Sequence, residues 1–176
     1  MSYKILGIDP STKMGLVLLK YSDDTVKTMV AEEYKSKQKG IERLADIGQR
    51  INEALEQYRP DAVWIEGYSF MSKFNLVTMA EIGTVIRFFL WQEGYTINEV
   101  APTSLKKFVS GKGNCKKDVM LLQAYKNWGF STHNDNVADA YSIAMYGLLI
   151  HLKLVDVKGC WKKGDTTHLK YKHPNF

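Results

Sequence analysis

Three apolar runs stand almost back to back at the start of this chain, and then the hydrophobic period changes. Tyr3–Asp9, Leu16–Tyr21 and Thr25–Glu33 each read as a strand. The turn Pro10-Ser11-Thr12-Lys13-Met14-Gly15 and the tight connection Asp23-Asp24 separate them. Adjacent strands with connections this short imply an antiparallel meander. Ile41, Leu44, Gly48, Ile51 and Leu55 then fall at helical spacing, which predicts a helix over Gln38–Tyr58 that Pro60 ends. A strand Asp61–Glu66 follows, then a helix Asn75–Glu93 closed by Gly94, and a strand Tyr95–Val100. Pro102 opens a helix Thr103–Ser110, Gly111-Lys112-Gly113 breaks it, and helices are expected over Lys116–Trp128 and Asp135–Leu152. Strands separated by helices add in parallel through right-handed crossovers. The expected fold is therefore α/β: a mixed five-stranded sheet, three antiparallel strands plus two parallel, flanked by helices.

A chain of 176 residues is expected to form one domain. We place that domain at residues 1–157. The polar, basic and aperiodic residues 158–176 are expected to be a C-terminal tail, loose in the absence of a partner. The apolar stretches are interrupted by polar residues and fall short of a membrane span. No charged segment precedes an apolar one at the start, so no secretion signal is read, and Cys115 and Cys160 lack metal-ligand spacing. Free thiols in a reducing cytoplasm are expected.

Four carboxylates sit where those elements begin or end. Asp9 closes the first strand and Glu66 the fourth, each after an apolar run; Asp135 and Asp139 lie four apart on one helical face. An acid at a strand end is ordinary on a surface, and capping the helix is the ordinary role for Asp135. Asp139 has no such role. It lies between Ala138 and Ala140 on a helix built for burial, where even a neutral polar group without a partner costs roughly 2–7 kcal/mol. Converging acids repel unless a cation lies among them. An all-oxygen set selects Mg²⁺, with Mn²⁺ able to substitute, over zinc. Two such ions, about 4 Å apart, serve the attacking water and the leaving oxygen of a phosphodiester without a covalent protein intermediate. His133, close in sequence to the acids, is a candidate base or orienting group, although a loop histidine is more often simply exposed.

The charge distribution suggests the substrate. The net charge is +5. Lys106, Lys107, Lys112, Lys116 and Lys117 form one block without an acid, and five more lysines after residue 157 face only Asp165. Two such blocks favour a phosphate backbone as ligand.

At this point the residues resemble a known family. Ile5-Leu6-Gly7-Ile8-Asp9-Pro10-Ser11-Thr12-Lys13-Met14-Gly15, Asp61–Glu66, and Val100–Gly113 followed by Lys116-Lys117 resemble the RuvC-type Holliday junction resolvases, within the retroviral-integrase and RNase H-like superfamily. The first motif alone also resembles the phosphate loop of sugar kinases, but the chain is short for their two lobes. The resemblance implies an RNase H-like fold and a metal-dependent, structure-selective endodeoxyribonuclease. It implies a homodimer whose two sites cut opposed strands of a four-way junction, with other branched DNA as further substrates. Asp9, Glu66 and Asp139 would be the metal-binding catalytic acids. The family's fourth acid lies three residues before the last, at Asn136 here, whereas Asp135 lies four before; Asp135 is the expected ligand. Lys117 matches a lysine near the scissile phosphate and Lys106 another of the DNA-binding stretch. Phe70-Met71-Ser72-Lys73 resembles the loop whose aromatic, Phe70, wedges into the junction centre; Phe74 is the ordinary core aromatic beside it. Apolar residues on several faces of the helix Asn75–Glu93 fit a dimer surface or a deeply buried helix. A phage member, working in its host's cytoplasm, fits as well as a bacterial one. The alternative function is a non-catalytic junction-binding protein of the same fold.

Overall fold

The computed structural model describes residues 2–68, 76–156, 158–159 and 169–173. Its elements are β1 (Tyr3–Asp9), β2 (Met14–Ser22), β3 (Thr25–Tyr34), α1 (Gly40–Tyr58), β4 (Ala62–Glu66), α2 (Leu76–Gln92), β5 (Ile97–Val100), α3 (Pro102–Ser110), α4 (Lys117–Trp128), α5 (Asp135–His151) and β6 (Lys170–Lys172). One sheet runs β5-β4-β1-β2-β3-β6. The meander β1-β2-β3 is antiparallel, and β4 and β5 add to it in parallel, as the spacing of the elements predicts.

Strand alternation sorts the core into two layers. Leu6, Ile8, Leu16 and Leu18 pack with Ile47, Ile51, Ile82 and Ile86 under α1 and α2. Ile5, Val17 and Leu19 pack on the other face with Phe108, Trp128, Ile143 and Ala144 of α3, α4 and α5. The hairpin β2–β3 turns on Asp23 and Asp24, both at positive φ (50° and 54°), the backbone that a two-residue connection with the right twist requires.

α5 is buried along most of its length, as a helix apolar on every side must be. It lies directly on β1 and β2 because two glycines make room. A Cβ on Gly7 would stand 2.3 Å from the Ala140 carbonyl oxygen, and one on Gly15 would stand 2.0 Å from that of Asn136. Any side chain at either position would lift the helix off the sheet.

The sheet has six strands rather than the five expected. Residues 169–173 return to it rather than lying loose: β6 pairs in parallel with the outer edge of β3. Lys170 N donates to the Asp24 carbonyl at 2.7 Å, and Leu169, only 5% exposed, enters the core with Tyr171 against it. His173 secures the end. Its Nε2 donates to the Trp128 carbonyl (2.6 Å), its Nδ1 shares a hydrogen bond with the Thr28 hydroxyl (3.0 Å), and its ring stands edge-on to Phe130 and Tyr141. The unpaired groups of the β3 edge supply the partner. A strand of three residues is too short to show a period in the sequence.

Candidate active site

The parallel pairing of β1 and β4 sets Ile8 opposite Ile65, so Asp9 and Glu66 leave neighbouring strands at the same end of the sheet. On the other side, Asp9 is the register partner of Gly15, over which α5 makes its closest approach. Asp139 comes down one turn farther along that helix. The carbonyl of Ala140, the next residue, lies against Gly7. Three acids distant in sequence thus lie at one end of the sheet.

Their charges act on one another. Asp9 is 7% exposed. Burial first, then the charges of Glu66 and Asp139, push its carboxyl well above the usual range, and Lys117 pulls against them. Glu66 is pushed up to about 7 by burial and then by Asp139, with Lys106 and Lys117 opposing. Asp139 is raised by burial and by Asp135, again against Lys117 and Lys106. All four predicted acids and two of the predicted lysines therefore share one field. No hydrogen bond among the described residues relieves Asp9, Glu66 or Asp139.

These residues fit a hard cation. The donors are carboxylate oxygens, buried or half-buried, mutually repelling and, among the described residues, without hydrogen-bond donors, the arrangement that a bound divalent ion relieves. As they stand, no three His, Cys, Asp or Glu side chains among the described residues are close enough to hold one ion.

The ordinary cap role considered for Asp135 belongs to Asn134. Its side-chain oxygen accepts from Asn136 N (3.0 Å) and Val137 N (3.1 Å). Its amide nitrogen donates to Glu33 at 2.8 Å, and that of Asn136 donates to the same Glu33 oxygen at 2.7 Å. A carboxylate only accepts, so both amides present nitrogen to Glu33. This clamp ties the start of α5 to β3. Asp135 is left exposed in the first turn, its charge acting on Asp139.

Lys117 begins α4 and Lys106 lies on α3, so the helix pair presents the basic block beside the acids. Lys107, Lys112 and Lys116 are exposed on the same stretch. His133 is exposed on the loop before α5. Phe70, Lys73 and Phe74 lie outside the described residues. Two residues were not singled out from the sequence. Glu33 is the first. Arg87 is the second: its guanidinium donates to Glu99 (2.7 Å), to the Gly83 carbonyl (2.8 Å) and to the Glu66 carbonyl (3.2 Å), and lies 4.3 Å from the Tyr68 ring centre. It fixes the strand end that carries Glu66. Its one signal in the sequence is a lone cation between Ile86 and Phe88.

A mixed sheet of this order, with acids where β1 and β4 end beneath a buried helix, is an RNase H-like fold. The family profile described as crossover junction endodeoxyribonuclease RuvC matches residues 5–146, and the chain belongs to that family. It is 26% identical over 148 residues to the crossover junction endodeoxyribonuclease RuvC of Prochlorococcus marinus, covering 81% of this chain and 94% of that one. With the RuvC of Carboxydothermus hydrogenoformans it shares 28% over 159 residues, covering 83% and 96%. The structure of Thermus thermophilus RuvC in complex with Holliday junction substrate has the same fold, with a TM-score of 0.72 at 23% identity over 86% of this chain and 96% of that one. No helix among the described residues is long and apolar enough to cross a membrane.

Proposed function

We propose that this chain resolves four-way DNA junctions by paired phosphodiester hydrolysis, with Asp9, Glu66, Asp135 and Asp139 holding two Mg²⁺ ions per site and Mn²⁺ able to replace them. The observation that carries the reading is the parallel register of β1 and β4 under α5, which brings Asp9 and Glu66 to one end of the sheet with no side-chain hydrogen-bond donor among the described residues. Bound there, the ions would supply charge for the attacking and leaving oxygens. The chain's own residues do the rest. The acids would hold the ions in place. Lys117, already within the field of all three buried acids, holds the scissile phosphate against their repulsion. Lys106 adds to that field, while Lys107, Lys112 and Lys116 hold the neighbouring backbone. Phe70 enters the junction centre and Lys73 binds beside it.

Asp135, rather than Asn136, is the fourth ligand. The Asn136 amide nitrogen is committed to Glu33, whereas Asp135 is free of that clamp and its charge reaches Asp139. The chain works as a homodimer. In support, Val77, Phe88 and Trp91 leave an apolar face of α2 exposed, with Val77 and Trp91 at 72% and 68%. Residues 1–157 form the catalytic domain and 158–176 a basic extension whose strand β6 joins that domain's sheet. The protein acts in the cytoplasm, the host's if a phage encodes it.

A labelled synthetic four-way junction tests the whole reading. Symmetric nicks that require Mg²⁺ or Mn²⁺ are expected. Tight binding without nicks in either metal would leave a junction-binding protein.

A further inference from the structure

A row of lysines crosses the outer half of the sheet. Lys20 of β2 is the register partner of Lys27 in β3, and Lys27 is the partner of Lys172 in β6. Register partners project from the same face, so these three side chains stand side by side, about 5 Å apart from strand to strand. Lys170, two residues from Lys172, projects from that face as well. Lys27, Lys170 and Lys172 are exposed and Lys20 is half-buried. Lys4 continues the row into β1, but its ammonium donates to the Tyr58 carbonyl at the end of α1.

Among the described residues, no acid pairs with the other four. The nearby acids are at the hairpin tip. There the Asp24 carboxylate accepts from the Tyr21 hydroxyl at 3.0 Å, and Tyr21 packs on the opposite face. Like charges directly opposite one another destabilise a sheet. Lysines on an edge strand are an ordinary defence against edge-to-edge aggregation. That accounts for Lys170 and Lys172, but not for Lys27 one strand in or Lys20 two strands in. The family match ends at residue 146, so β6 and its two lysines lie outside it.

The geometry points to a second binding surface for a DNA phosphate backbone, on which Lys20, Lys27, Lys170 and Lys172 hold a duplex arm of the substrate away from the acids. It rests on reading the chain as a nuclease of branched DNA. Lys20 is the partner of Lys4, which lies five residues before Asp9 on β1, about 17 Å along the sheet. Three strands of lysines span about 10 Å, enough to meet neighbouring phosphates along one DNA strand. A regular row of one sign suits a backbone better than a protein, whose interface would need an apolar centre.

The test is the combined variant Lys20→Ala, Lys27→Ala, Lys172→Ala, with binding measured against salt for two junctions. One has long arms, and the other has hairpin-capped arms too short to reach the row. On the long-armed junction, affinity should fall about tenfold at physiological salt and the salt slope should flatten by roughly 2–3. The short-armed junction should bind as tightly as it does to the wild type, and the nicking rate at saturation should be unchanged. The melting temperature should hold or rise as repulsion is relieved, which separates the effect from misfolding. An unchanged salt slope on long arms, or an equal loss on both junctions, would overturn the proposal; the former would leave an acidic protein as the remaining ligand. Nicking by the wild type decides the active-site reading separately, because the slopes are measured by binding alone.

Discussion

Two acidic sites flank the N-terminus of α5, and they are opposites. Glu33 accepts hydrogen bonds from Asn134 and Asn136, and these first, with Lys13 and Lys35 behind them, hold its carboxyl below the usual range. Asp9 and Glu66 receive none among the described residues, and burial and mutual repulsion hold theirs above it. The residue type is the same. What differs is whether the fold supplies donors. A carboxylate given two amides is complete and serves as a clamp. Carboxylates gathered without donors are complete only when a cation joins them.

The largest effect should come from neutralising the incomplete site. Asp9→Asn or Glu66→Gln should lower the nicking rate by about a thousandfold or more, since metal-held charge is worth several kcal/mol at the transition state. Junction affinity, followed by gel shift in Ca²⁺, should stay level or rise, because a negative charge has been removed. Loss of binding together with cleavage would count against the metal-holding role.

The same contrast is visible in pH, without metal. The folded value of Glu66 lies near 7 against an ordinary 4.5. A raised acid favours the folded state while protonated, so that contribution is full at low pH. It fades as pH rises from about 4.5 and is gone above about 7. Glu33 works the other way. Its lowered value stabilises the fold above the ordinary carboxylate range and is lost as pH falls through it. With EDTA present, melting temperature should therefore decline from mildly acidic to neutral pH, and Glu66→Gln should flatten that decline. A wild-type curve still rising through neutrality would show that the buried acids are not under the strain inferred here.

A smaller effect belongs to the lysine that opposes the repulsion. Lys117→Ala removes a charge that lowers the pKa of Asp9, Glu66 and Asp139 alike. Nicking should slow by about ten- to a hundredfold, and the salt slope of junction binding should flatten by roughly 1. Unchanged nicking at every salt concentration would remove Lys117 from the site.

Much of this was legible in the sequence, and what was not has a physical reason. Strand and helix periods are strong where one face is buried, so β1 to β5 and the helices stand close to their expected bounds. Acids that end apolar strands stood out because a buried charge needs a cause. The Glu33 clamp did not. It joins residues 101 and 103 positions apart, and nothing local to Glu33 distinguishes it from a surface acid on an edge-ward strand. Arg87 was hidden for a similar reason, since three of its four partners are backbone carbonyls or an aromatic face. Backbone groups leave no trace in a sequence. β6 was missed because its pairing depends on where the chain returns, not on its three residues.

Glu33→Gln gives the smallest effect and bears most directly on the contrast. Both asparagine amides meet one Glu33 oxygen, and the glutamine carbonyl can still accept from both, so what is lost is the charge that strengthens the two bonds. The site is partly exposed, so the cost should be about 1 kcal/mol, or a few degrees in melting temperature. The loss of stability on acidification should shrink, because the group that titrates there is gone. Nicking should fall only a few-fold, through a looser start to α5, and the metal concentration for half-maximal nicking should move little. A loss as large as that of Glu66→Gln, with a raised metal requirement, would mean that Glu33 leaves its amides and joins the ions. The line between a completed carboxylate and one waiting for a cation would then fall elsewhere in this site.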